Sequence, residues 1–115
     1  MTELTLKTER KATAEEVDDL VFGTGALSLP WWHSAHRTPQ GYRFRFDHPD
    51  HEEGTFKGNR WVSNQQILNA AARFLAEGRG GEDAREMISD SIGYADAAAA
   101  DVILQYAVLG EIVYG

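Results

Sequence analysis

The chain contains no cysteine among its 115 residues, which excludes a disulfide framework, a thiolate nucleophile and a cysteine-ligated zinc site. No apolar run approaches the ~18–20 residues of a membrane span, and the opening residues MTELTLKTERK lack the apolar core of a signal peptide. Only 11 basic residues stand against 18 acidic ones, and the resulting net charge of -7 disfavours non-specific attraction to nucleic acid. We therefore expect a cytoplasmic protein with no membrane contact.

Motifs of catalysis and cofactor binding are missing as well. The sequence Gly23-Thr24-Gly25 lacks the further glycine and the lysine of a phosphate-binding loop, and no serine lies in a nucleophile-elbow context. Adjacent carboxylates such as those at 18–19 and 52–53 point apart on a helix or strand, so neither pair can serve one bond as acid and base. The sequence therefore predicts a protein that is not an enzyme and has no cofactor.

Residues 96–115 form the most apolar stretch, and we expect the rest of the chain to pack around it. Exposing its large side chains would forgo roughly 1.5–3 kcal/mol each. Asp96 is the expected cap of a helix that ends at a glycine cap, Gly110, and the triplet from Ile112 to Tyr114 is expected to pair as a strand.

The remaining pattern predicts an α+β fold, with a small antiparallel β-sheet packed against two or three helices. Residues 1–115 are expected to form one domain, because one core commonly serves ~100–150 residues. Capping boxes at Thr13 and Ser63 predict two helix starts. The expected strands are residues 3–11, 42–46, 55–62 and 112–114, and a short helical turn is expected at 84–88.

The middle of the chain offers candidate binding residues. Trp31 and Trp32 are interpreted first as core and rim, with an aromatic recognition patch as the alternative. The strand from Tyr42 to Phe46 alternates aromatic residues with Arg43 and Arg45, so its aromatics should face the core and its arginines the solvent. A nucleic-acid surface built from these arginines, with Arg37, Lys57, Arg60 and the nearby aromatics, is the alternative. Trp61 on the returning strand is expected at or near the core face.

The loop after this strand is rich in possible metal ligands. Residues 47–53 hold two histidines and four carboxylates, side chains that hard or borderline cations prefer. The spacing matches no established metal motif, so a solvated hairpin loop is preferred. A metal-dependent hydrolase around His48, Asp50 and His51 is the least favoured alternative.

Two segments resemble a group of small uncharacterised phage and prophage proteins. Residues 96–115, reading DAAAADVILQYAVLGEIVYG, are similar to that group's alanine-aspartate helix start and its ILQYAxxGEIVYG-type ending. The run Val17-Asp18-Asp19-Leu20-Val21, followed by Trp31-Trp32, resembles its N-terminal helix and aromatic exit. The resemblance covers the two ends and departs in length between His33 and Gly81. It implies a phage- or prophage-encoded accessory protein, in keeping with an actinobacterial host, and supplies no catalytic residue.

These features predict a non-enzymatic protein-binding module that acts on a host or phage protein. A variant of this function is an acidic face between Glu82 and Asp101 that imitates DNA. The nucleic-acid module is the main alternative. A homodimer through the apolar C-terminal surface is also open.

Overall fold

The computed structural model describes residues 13–79 and 81–115. Within them the chain runs from a short helix through three strands to three longer helices, with brief 3-10 turns between. This is the expected α+β fold with a small antiparallel sheet. The strand predicted at residues 3–11 lies outside the described residues. The described part of the chain begins at Thr13, which is the N-cap of the first helix.

Helix α1 spans Ala14–Asp18 and continues as a π-helical turn over Asp19–Gly23. Its capping box is confirmed, because the Thr13 side chain accepts from the Glu16 amide while the Glu16 carboxylate accepts from the Thr13 amide at 2.8 Å. Val17, Leu20 and Val21 of this segment are buried in the core, as their helical spacing predicts.

The sheet has the order β1-β2-β3, with β1 at Trp32–Thr38, β2 at Gly41–Phe46 and β3 at Gly58–Ser63. Both pairings are antiparallel. Strand β1 was not expected, since it is poor in the β-branched and aromatic residues that mark strands. A register shift between Trp32 and Ser34 turns Trp32 inward while the following residues keep their alternation.

Three longer helices follow: α2 at Asn64–Ala76, α3 at Gly81–Asp90 and α4 at Ala97–Leu109. The predicted caps of α2 and α4 are confirmed: Ser63 accepts from Gln66, Asp96 accepts from Ala99, and Gly110 closes α4 with φ of 81°. Helix α3 is a ten-residue helix, longer than the predicted turn. The core lies between α1, α2, α4 and the inner sheet face, where Tyr42, Phe44, Phe46 and Val62 are buried.

The last residues do not form a strand, which corrects the prediction for Ile112 to Tyr114. The side chain of Gln105, fully buried on α4, takes the place of a partner strand. Its Oε1 accepts from the Val113 and Tyr114 amides at 2.8 and 2.9 Å, and its Nε2 donates to the Tyr114 carbonyl at 3.1 Å. The side-chain amide of Gln105 thus forms the hydrogen bonds that these backbone groups would otherwise make with a neighbouring strand.

Within the described part of the chain, no helix has both the length and the apolar character needed to cross a membrane.

Candidate binding surface

The outer face of the sheet, turned away from the helices, carries the most unusual surface of the described chain. Cross-strand partners share a face, so the pairing defines three rows across it. Thr38, Gly41 and Ser63 form the row beside the turn between β1 and β2, and two further rows carry the larger side chains. One of these two rows is His36, Arg43 and Trp61, and the other is Ser34, Arg45 and Asn59. His36, Arg43, Arg45, Asn59 and Trp61 are exposed, so the described chain leaves this face uncovered. We call the six residues of these two rows the outer face.

Trp61 lies on this outer face and not at the core, which corrects its predicted position. Its neighbour Val62 is fully buried, and because strand side chains alternate, Trp61 points outward with 41% of its surface exposed. The sequence contained the signal for this orientation: the buried phase of β3 is set by Val62, the apolar residue that leads into the Ser63 cap.

The indole of Trp61 extends across the sheet. Its Nε1 donates to the Thr38 Oγ1 at 2.8 Å, although Thr38 belongs to β1 and β2 lies between the two strands. The ring therefore passes over β2 at Gly41, where a Cβ atom would come within 2.2 Å of the Val62 carbonyl oxygen and within 2.8 Å of the Trp61 Cζ2. Glycine at this position leaves room for the ring, which is held across the sheet with its polar edge already bonded.

The charge on the outer face is of one sign. Arg43 and Arg45 point outward from β2, and Arg43 donates to the Asn59 Oδ1 at 2.9 Å. No aspartate or glutamate occupies an outward position of the three described strands. In a chain of net charge -7, the acids lie elsewhere and the outer face is a local basic surface.

Arg37, a predicted binding residue, does not join this face. It pairs across from Tyr42, on the inner register, and its guanidinium forms a two-pronged ion pair with Asp18, one contact being Nη2 to Oδ2 at 2.7 Å. The Tyr42 hydroxyl also donates to Asp18, at 3.0 Å. The hydrogen bond from Arg37 lowers the pKa of Asp18. Because Asp18 lies on α1 while Arg37 and Tyr42 lie on β1 and β2, these contacts connect the helix to the sheet.

Trp31 and Trp32 are both bound to the buried carboxylate of Asp101. Both indole Nε1 atoms donate to the Asp101 Oδ1 at 2.7 Å, and Gln105 donates to the Asp101 Oδ2 at 2.8 Å. Trp32 is 4% exposed, and the half-buried Trp31 stacks on Tyr114 with ring centroids 5.4 Å apart. The core-and-rim interpretation is confirmed: Trp32 lies in the core and Trp31 lies at its rim.

The burial of Asp101 removes this residue from the acidic face expected between Glu82 and Asp101. Asp101 is 5% exposed and its carboxylate is enclosed by the three N–H donors, so it cannot contribute to a surface that imitates DNA. Sequence reasoning missed this residue because an acid among alanines on a helix is usually solvated.

The loop of possible metal ligands is organised by one buried acid. The carboxylate of Asp47 accepts from the Gly54 amide at 3.0 Å and from the Phe56 amide at 2.9 Å. His48 accepts from the Asp50 amide through its Nδ1, and the rings of His48 and His51 meet edge to face. Across residues 13–79 and 81–115, no three such side chains converge on a point that could hold a metal ion.

A second charged cluster joins the end of α2 to α4. Arg79 donates to Glu77 at 2.9 Å and to the Tyr106 hydroxyl at 2.7 Å, and that hydroxyl donates to Glu77. The bonds from Tyr106 and Arg79 lower the pKa of Glu77 to about 2. Arg73 lies over the Tyr106 ring and donates to the Gly110 carbonyl at 2.8 Å, where it satisfies the end of α4.

Comparisons with models of protein families, with curated proteins and with solved structures found no match to this chain. The geometry of the outer face is therefore the basis for a functional proposal.

Proposed function

We propose that this chain is a non-enzymatic binding module and that the outer face is its binding surface. The observation that supports the proposal is the exposed Trp61 beside Arg43 and Arg45, on a face free of acids in an acidic protein. Tryptophan and arginine are the side chains most enriched where binding energy concentrates. A partner that covered the exposed indole would gain the free energy of burial that the isolated chain forgoes.

We further propose that the module is a phage- or prophage-encoded accessory protein that acts in the cytoplasm of its host. The resemblance of residues 96–115 to small phage proteins supports this origin. The partner is a macromolecule that presents negative charge to the arginines. The acidic composition of the chain favours a host or phage protein, whereas the outer face taken by itself also suits a nucleic acid. The nucleic-acid alternative gains support from the acid-free outer face, which meets its requirement for a basic surface apart from the acidic bulk.

Symmetric self-association through this face is disfavoured. A two-fold interface centred on this face would bring Arg43 and Arg45 of one copy toward the same arginines of the other. Like charges that face each other across an interface cost on the order of 2 kcal/mol or more. The proposed partner is therefore a different molecule.

The test is a pull-down from lysate of an actinobacterial host, performed both with and without nuclease, on the wild-type chain and on a variant carrying Arg43→Glu and Arg45→Glu. We expect a stoichiometric partner that the wild type retains and the variant loses. A charge-matched variant, Arg60→Glu with Arg85→Glu, alters exposed bases outside the outer face and should retain it, because Arg60 pairs with Phe44 on the inner register and Arg85 lies on α3. Equal retention by all three chains would contradict the proposed surface.

A further inference from the structure

The outer face has the geometry of a stacking platform. The Trp61 indole crosses Gly41 and its N–H is already bonded to Thr38, so the ring offers a partner its π face and not a hydrogen bond. A ring held along a sheet suits a flat group laid on it. Nucleobases are flat, and every base can stack on an aromatic face.

The positive charges lie beside this ring in a line. Arg43 is the cross-strand partner of Trp61, and strands are ~4.7–4.9 Å apart. Arg45 is two residues farther along β2, which is ~6.7 Å at the usual rise per residue. A phosphate backbone that runs along β2 would meet both guanidinium groups while one base rests on Trp61.

From this arrangement we propose that the ligand of the outer face is single-stranded nucleic acid, with a base stacked on Trp61 and phosphates contacted by Arg43 and Arg45. The inference rests on the proposed binding surface and names its ligand. The buried rings of Tyr42, Phe44 and Phe46, which the sequence offered for stacking, take no part because they face the core.

Two other occupants fit the face less well. A peptide is recognised at a sheet edge or by pockets for its side chains, whereas the Trp61 ring and arginines lie on the face of the sheet. Double-stranded DNA is read by a helix or ribbon inserted into a groove, and the outer face presents neither. An exposed aromatic with flanking arginines on a sheet is the arrangement used for unpaired bases.

The experiment measures fluorescence anisotropy of labelled oligo-U and oligo-dT of about 12 nucleotides, a length within the range covered by one small domain. Comparing the two oligonucleotides separates an RNA ligand from a DNA ligand. The proteins are the full wild-type chain and the variants Trp61→Ala, Trp61→Phe and Arg43→Ala with Arg45→Ala. Circular dichroism and a urea midpoint for each variant verify that it is folded.

We expect Trp61→Ala to weaken binding by at least about fivefold and Trp61→Phe to retain most of it, because phenylalanine still stacks. The double arginine variant should weaken binding and lower the slope of log K against log salt concentration by about 1.4, or about 0.7 for each lost phosphate contact. The control variant Arg60→Ala with Arg85→Ala loses the same charge away from the outer face, since Arg60 pairs with Phe44 on the inner register and Arg85 lies on α3, and it should keep the wild-type slope.

Three outcomes overturn the inference: no binding of either oligonucleotide by the folded wild type at low salt, wild-type affinity in Trp61→Ala, or an equal change of slope in the control variant. If a protein captured from lysate still depends on Arg43 and Arg45, only the ligand class is wrong and the binding surface stands. If neither ligand depends on Arg43, Arg45 or Trp61, the proposed function fails with it.

Discussion

Replacing Asp101 by alanine tests the account of the buried polar network most directly. The carboxylate accepts from three N–H groups: those of Trp31 and Trp32 at 2.7 Å and that of Gln105 at 2.8 Å. After Asp101→Ala, water can reach the half-buried Trp31, but the N–H of Trp32 and one N–H of Gln105 lose their acceptor inside the protein. Each orphaned donor costs ~1–3 kcal/mol.

We therefore expect Asp101→Ala to lower the free energy of unfolding by about 3–4 kcal/mol, a large share of the ~5–15 kcal/mol typical of a small domain. Asp101→Asn keeps one oxygen for both indoles but turns an amide N–H₂ toward Gln105, so it should cost an intermediate ~1–3 kcal/mol. The exposed Asp90→Asn is the control and should change stability by less than about 0.5 kcal/mol.

The assay is urea unfolding followed by both circular dichroism and tryptophan fluorescence, with the slope against urea compared between variants. An unchanged slope would show that the native state, and not the compactness of the unfolded chain, was altered. A midpoint for Asp101→Ala equal to that of Asp90→Asn would refute the reasoning. So would an asparagine variant no more stable than the alanine variant.

Three further changes test other parts of the fold. Because the pKa of Glu77 is depressed, its contribution to folding stability is complete above its ordinary pKa of 4.5 and is lost as the pH falls toward about 2. Glu77→Gln should therefore flatten the decline of the urea midpoint with falling pH in that window. A decline as steep as that of the charge-matched variant Glu82→Gln would contradict this. Gly110→Ala should cost ~1–2 kcal/mol through its positive φ alone. Gly41→Ala should cost more, about 3 kcal/mol, because the new Cβ would lie 2.2 Å from the Val62 carbonyl oxygen as well as 2.8 Å from the Trp61 Cζ2, and it should also shift the fluorescence of Trp61. Equal fluorescence in both variants would argue against the ring crossing Gly41. Ser63→Ala should cost about 1 kcal/mol at the start of α2, and an unchanged unfolding midpoint would refute the cap.

Much of the fold follows from local sequence signals. Thr13, Ser63, Asp96 and Gly110 were placed correctly because a cap is decided by residues a few positions apart. The strand β2 was placed correctly because its alternation of aromatics and arginines has only one sensible orientation in water.

The misplaced elements depend on contacts between distant residues. The Ile112 to Tyr114 segment has strand propensity, but the groups it bonds belong to the side chain of Gln105 and not to a strand edge. The alternation of β3 about Val62 places Trp61 on the outward face, but its bond to Thr38 and its passage over Gly41 depend on other strands, which the sequence of β3 alone does not reveal. The candidate site was therefore half predicted: its arginines were named, and its aromatic residue was not.

The links made by Asp101 have a consequence for folding kinetics. The bonds to Trp31 and Trp32 join residues 70 and 69 positions apart, and the Tyr114 hydroxyl reaches the Asp47 carbonyl across 67. Such contacts close large loops, whereas β1, β2 and β3 are neighbours in sequence and can pair first. We expect φ-values near 0 at Asp101 and Tyr114, so that their substitution speeds unfolding and leaves refolding nearly unchanged. The network would then set how long each native molecule survives before it opens.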